Sequence, residues 1–170
     1  TYAFFGCKNL TTVDFGKDSN VEVIAERAFM RSGLTTIKLG EEVAAAADGS
    51  YTYALPGQLK ELRAGAFEEV EFPANTTITI PASVTDFGQC TLPYVDSTFG
   101  VFRDSTVSRI VFAENSKLQT VYAKAFASLS GHSMLTEVDF GKNSALTTIE
   151  EEAFSDCGKL TKVNFGEGSV

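Results

Sequence analysis

The feature that most constrains this chain is a dipeptide that keeps returning. Ala-Phe stands at Ala3-Phe4, Ala28-Phe29, Ala66-Phe67, Ala125-Phe126 and Ala153-Phe154, and Val101-Phe102 fills the same place once. After each comes a turn and then an apolar-x-x-apolar-x-apolar triplet. The triplets are Leu10/Val13/Phe15, Leu34/Ile37/Leu39, Val107/Ile110/Phe112, Leu135/Val138/Phe140 and Leu160/Val163/Phe165, with Ile78/Ile80 a shorter copy. A second apolar pair closes most units: Val21/Ile24, Leu59/Leu62, Val84/Phe87, Leu118/Val121 and Leu146/Ile149. Self-similarity at a period of about 25 residues marks a stacked array, in which no unit can bury its apolar side without a neighbour.

Within each triplet the last two apolar positions are two residues apart, so Val13 and Phe15 share one face while Thr12 and Asp14 share the other. That is the pattern of a short half-buried strand. Thr, Val, Ile and Phe favour it, and Gly16, Gly40, Pro81, Gly141 and Gly166 end it. Because the strand recurs in every coil, neighbouring coils can pair it into one parallel sheet with the Phe and Ile side chains stacked inside. Most of the 14 Phe residues occupy repeat slots and are therefore core. The balance of 44% hydrophobic and 21% charged residues supports a packed core rather than disorder.

Stretches such as Leu10-Thr-Thr-Val-Asp-Phe-Gly16 and Leu146-Thr-Thr-Ile-Glu-Glu-Glu-Ala-Phe-Ser-Asp-Cys157 resemble the BspA-like (Treponema pallidum-type) leucine-rich repeat. The resemblance covers nearly the whole chain. It implies an α/β leucine-rich-repeat solenoid of about six coils, with a parallel β-sheet on the concave face and short strands and helical or 3-10 turns on the convex side. It further implies a secreted or cell-surface bacterial protein, without catalysis, that adheres to a host matrix or cell-surface protein. Two segments depart from the pattern, the insertions 44–58 and 89–100. Neither end carries a capping signature, so residues 1–170 are expected to be one solenoid domain cut from a longer array. Uncapped ends also make self-association an expectation, since an open sheet edge is a template for pairing.

The formal net charge of −8 argues against a nucleic-acid surface, which needs clustered Lys and Arg. No apolar run is long enough to span a bilayer, so direct membrane insertion is not expected. No cofactor or metal is expected either. His132 is the only histidine, too few for a triad or a zinc site, and each Gly ends a strand rather than opening a phosphate loop. The acidic groups Glu41-Glu42, Glu68-Glu69 and Glu150-Glu151-Glu152 lack the alternate-position spacing of a calcium loop and read as a solvated edge. Cys7 and Cys157 share one slot five coils apart, about 24 Å at strand spacing, far beyond disulfide reach, and are expected to be buried thiols. Cys90 lies in an insertion.

What remains for binding is the outward side of the strands. The register assigns Thr12, Asp14, Thr36, Lys38, Thr77, Thr79, Arg109, Val111, Glu137, Asp139, Lys162 and Asn164 to it. The set is mixed in charge, so a partner needs mixed complementarity. The insertions add Tyr51, Tyr53, Tyr94 and Phe99, because per-repeat insertions map to loops and exposed rings suit recognition; the other reading of these rings is that they fold back over an irregular coil to cover its core. The expected partner is a protein. A glycan ranks second, since without Trp it rests on the insertion tyrosines alone, and the alternative is a structural spacer or a targeting array in a larger surface protein.

Overall fold

A computed structural model describes residues 1–92, 100–128 and 131–168. Tyr94 and Phe99 lie outside the described residues. The described chain winds through short parallel strands on two sides, joined by turns. The front side is formed by β1 (Thr12–Asp14), β3 (Thr36–Lys38), β4 (Tyr51–Ala54), β6 (Thr76–Ile80), β8 (Arg109–Phe112), β10 (Glu137–Asp139) and β12 (Lys162–Asn164). The back side is formed by β2 (Val23–Ile24), β5 (Glu61–Leu62), β7 (Asp86–Phe87), β9 (Thr120–Val121) and β11 (Thr148–Ile149). These are the triplets and the closing pairs read in the sequence. The back sheet runs unbroken as β2-β5-β7-β9-β11, whereas the front falls into a pair, β1-β3, and a five-stranded sheet, β4-β6-β8-β10-β12.

The Ala-Phe turns make a third ladder. Phe4 N donates to Ala28 O at 2.7 Å, and Phe29 N to Ala66 O, Phe67 N to Val101 O and Phe126 N to Ala153 O each at 2.9 Å. The rings follow the backbone: Phe4 stacks on Phe29 (5.2 Å), Phe29 on Phe67 (5.4 Å), Phe67 on Phe102 (5.3 Å) and Phe126 on Phe154 (4.8 Å). Burial of the inner rings Phe29, Phe67, Phe102 and Phe126 contributes roughly 1.5–3 kcal/mol each. A second stack, Phe112-Phe140-Phe165, runs beneath the front strands. Strand alternation is as the pattern requires: in β6, Ile78 and Ile80 are fully buried while Thr77 and Thr79 stay half exposed.

Four expectations are corrected. The side opposite the front sheet contains no helix among the described residues; it is strands and turns. The reason is local. The residues two before and two after the phenylalanine are left-handed at Tyr2 and Gly6, Arg27 and Arg31, Gly65 and Glu69, and Glu152 and Asp156. A right-handed helix cannot propagate through such pairs. Second, the insertion 44–58 is not simply a loop, since Tyr51–Ala54 forms β4 and pairs in parallel with β6. Tyr51 and Tyr53 therefore turn inward: Tyr53 is 1% exposed, Tyr51 is half-buried against the core, and neither is the free recognition ring that the sequence suggested. Third, Cys7 is exposed, because no coil stacks on its outer side in the described chain. Cys157 does pack inward, with its thiol against Phe126 O at 3.1 Å, and burial pushes its pKa up to about 11, so it is protonated and inert at neutral pH.

The fourth correction concerns Glu68, which is buried rather than part of a solvated edge. Its slot, one after the phenylalanine, holds the buried Met30 in the preceding coil and Arg103 in the following one, so the carboxylate has an apolar neighbour on one side and a guanidinium on the other. Arg103 Nε approaches it at 3.2 Å. Neither carboxylate oxygen makes a hydrogen bond among the described residues, and burial pushes the pKa up to about 7 against the opposing pull of Arg103 and Arg27.

Candidate functional site

The outward side chains of the front strands fall into two rows because parallel pairing keeps the coils in register. Across β1 and β3 the rows read Thr12, Thr36 and Asp14, Lys38; across β4 to β12 they read Thr52, Thr77, Arg109, Glu137, Lys162 and Ala54, Thr79, Val111, Asp139, Asn164. All twelve positions assigned from the triplets stand on this side. Thr52 and Ala54 are not among the positions that the triplets assign, although Tyr51-Thr52-Tyr53-Ala54 carries the same alternation, because this strand lies inside an insertion and follows no Ala-Phe turn of its own.

The rows divide by chemistry. From Thr52 through Thr77 and Thr79 to Val111 the side chains are small and uncharged. Beyond them the charges answer one another: Arg109 Nε lies 3.3 Å from Glu137, Arg109 Nη2 3.6 Å from Asp139, and Lys162 Nζ 2.8 Å from Glu137. Such partly exposed pairs contribute only about 0–1 kcal/mol each, so they set orientation more than stability. On the other flank Lys38 pairs with Glu42.

Three row members also serve the fold. Asp14 Oδ1 accepts from Gly16 N and Gly40 N, each at 2.8 Å, which holds the Asp14 carboxyl below the usual carboxylate range. Asp139 accepts from Gly141 N at 2.9 Å, and Asn164 from Gly166 N at 3.0 Å. These bonds fix the turn after each strand. The glycines there are demanded by crowding as well as by backbone angle: at Gly141, with φ +76°, a Cβ would lie 2.6 Å from Phe112 O.

Two open clefts border the rows. One, of about 660 Å³, lies past the ends of β8, β10 and β12, where Glu114, Asp139, Lys142, Asn164 and Glu167 meet. The other, of about 360 Å³, opens where the front sheet breaks between β3 and β4, lined by Ile37, Leu39, Glu41, Glu42, Val43, Ala44, Thr52 and Ala54. His132 borders a third opening with Lys8, Glu69, Glu71, Arg103, Asp104 and Thr106.

The family model for the BspA type leucine rich repeat region matches in six copies, over residues 1–97 and 52–170. No curated protein matches the chain.

Proposed function

Because the chain belongs to the BspA-type leucine-rich-repeat family, we propose that it is a non-catalytic binding module, secreted or displayed at a cell surface, that engages an extracellular protein through the outward rows of the front sheet. The observation that supports this reading is the uncharged strip from Thr52 to Val111, flanked by charged residues of both signs and mounted on the parallel ladder β4-β6-β8. A surface held this way loses little ordering entropy on binding, and its charges select the partner's orientation. A glycan is the weaker choice, since Tyr51 and Tyr53 face the core and the two rows hold no aromatic ring.

The test is capture of the 170-residue chain by a panel of extracellular-matrix proteins, mucins and glycans, beside a variant carrying Thr77→Ala, Thr79→Ala and Arg109→Ala. Saturable capture of the parent, lost in the variant with its circular dichroism unchanged, is the expected result. The spacer reading is favoured by the mutual satisfaction of Arg109, Glu137, Asp139 and Lys162. Capture of neither protein would establish it in place of the binding reading. Self-association is a further part of the proposal, because Phe4, Phe5 and Phe165 are exposed at 43%, 44% and 50%. Sedimentation is expected to show association rising with concentration; a monomer throughout removes that part.

A further inference from the structure

The break in the front sheet is a cleft with a definite chemistry. Thr36 N donates to Thr11 O and Phe15 N to Lys38 O, so Thr36 and Lys38 spend their backbone groups on β1, and those of Ile37 point toward β4. On the other bank Leu55 N donates to Thr79 O, so Tyr53 and Leu55 face β6 while Thr52 and Ala54 turn their backbone groups toward β3. Yet β3 and β4 lie side by side with no ladder between them. The cleft thus has peptide groups on both banks, apolar lining from Leu39, Val43 and Ala54, and the carboxylates of Glu41 and Glu42 at its edge. Glu42 is met by Lys38, whereas Glu41 is exposed and has no ion pair among the described residues.

We propose that this cleft seats an arginine side chain of the protein partner. The inference rests on the front-sheet reading and gives that surface its anchor. A cleft lined by apolar side chains together with two carboxylates suits a long aliphatic stem with a cationic head. The guanidinium is preferred to an ammonium because its five donors lie in one plane and can reach the carboxylates and the strand carbonyls together. A net charge of −8 on the chain favours a cationic partner segment on approach. A partner strand could not take this place, because β3 and β4 are already in contact.

The probe is N-acetyl-Leu-Arg-Leu-amide, titrated into the whole chain and followed by amide NMR shifts. The expected result is saturable shifts at Ile37, Thr52 and Ala54. Binding should be at least tenfold weaker for the citrulline peptide, which keeps the shape and loses the charge, and at least tenfold weaker for Glu41→Gln/Glu42→Gln with the rest of the spectrum unchanged. Equal binding of the citrulline peptide, stronger binding of the lysine peptide, or shifts only outside the cleft would overturn the proposal. The two readings separate with a captured protein: capture that survives Glu41→Gln/Glu42→Gln but not Thr77→Ala/Thr79→Ala/Arg109→Ala overturns the cleft alone. Capture that survives both overturns the front-sheet reading as well.

Discussion

The front of the molecule is cut from one repeat but divides into two unlike pieces. In the five-stranded piece the inward residues Ile78, Ile80, Ile110, Phe112 and Val138 are at most 1% exposed. In the β1-β3 piece Ile37 is just as buried, but Val13 is only half-buried and Tyr2, Phe4 and Phe5 of the same first coil are exposed, as Val163 is half-buried in β12 at the other end. The residue types hardly differ. What differs is the number of coils in contact, so burial in this fold belongs to the junction between coils rather than to the repeat itself.

The sharpest way to break that comparison is to remove the same ring from each region. Phe67 is fully buried between Phe29 and Phe102, whereas Phe4 stacks on Phe29 alone. Phe67→Ala is expected to cost about 3–5 kcal/mol and Phe4→Ala about 1 kcal/mol in urea unfolding. Equal losses would show that the ladder acts as one body, with burial irrelevant. A finer cut uses the turn glycines. Gly16 and Gly141 have similar φ, +78° and +76°, but a Cβ at Gly16 meets nothing within 4 Å while one at Gly141 meets Phe112 O at 2.6 Å. Gly16→Ala is expected to cost the left-handed strain alone, about 1–2 kcal/mol, and Gly141→Ala roughly 1–2 kcal/mol more. Equal melting points for the two variants would refute the crowding argument.

The smallest effect is the response to pH, which compares a buried pair with an exposed one. Glu68 has a folded pKa of about 7, above its unfolded value near 4.5. The folded state therefore binds the proton more tightly, and the stability this confers is full below pH 4.5 and lost as pH rises through 7. Between pH 6 and 8 the loss is about 1 kcal/mol. Glu68→Gln should abolish that slope, while Glu69→Gln should keep it but move it to lower pH, because the Glu69 charge helps to raise the Glu68 pKa. A slope unchanged in Glu68→Gln would assign it elsewhere.

Most of this architecture could be read from residues alone. A two-residue alternation under a longer period specifies strand, face and stack at once, which is why Val13, Ile37, Ile78, Ile110, Val138 and Val163 fall on the inward side of their strands. Two kinds of information were not legible. Left-handed backbone at Arg27, Lys124 and Glu152 leaves no mark in side chains that are not Gly or Asn, so a helix and a tight turn look alike there. Pairing is likewise a property of two segments: nothing inside Tyr51–Ala54 states that β6 will accept it while β3 will not. The binding rows were visible as positions, but the ion pairs that link Arg109 to Glu137 and Asp139 depend on the spacing between coils.

The missing ladder between β3 and β4 has a mechanical consequence. Under tension along the stack, every other front junction resists with a row of hydrogen bonds loaded together. At this seam the load passes to the back strands, through β2 and β5, and to the turn bonds from Arg27 N to Ala64 O and from Phe29 N to Ala66 O. The array therefore has a preassigned place to yield, where it opens like a book on its spine and leaves the coils on either side intact.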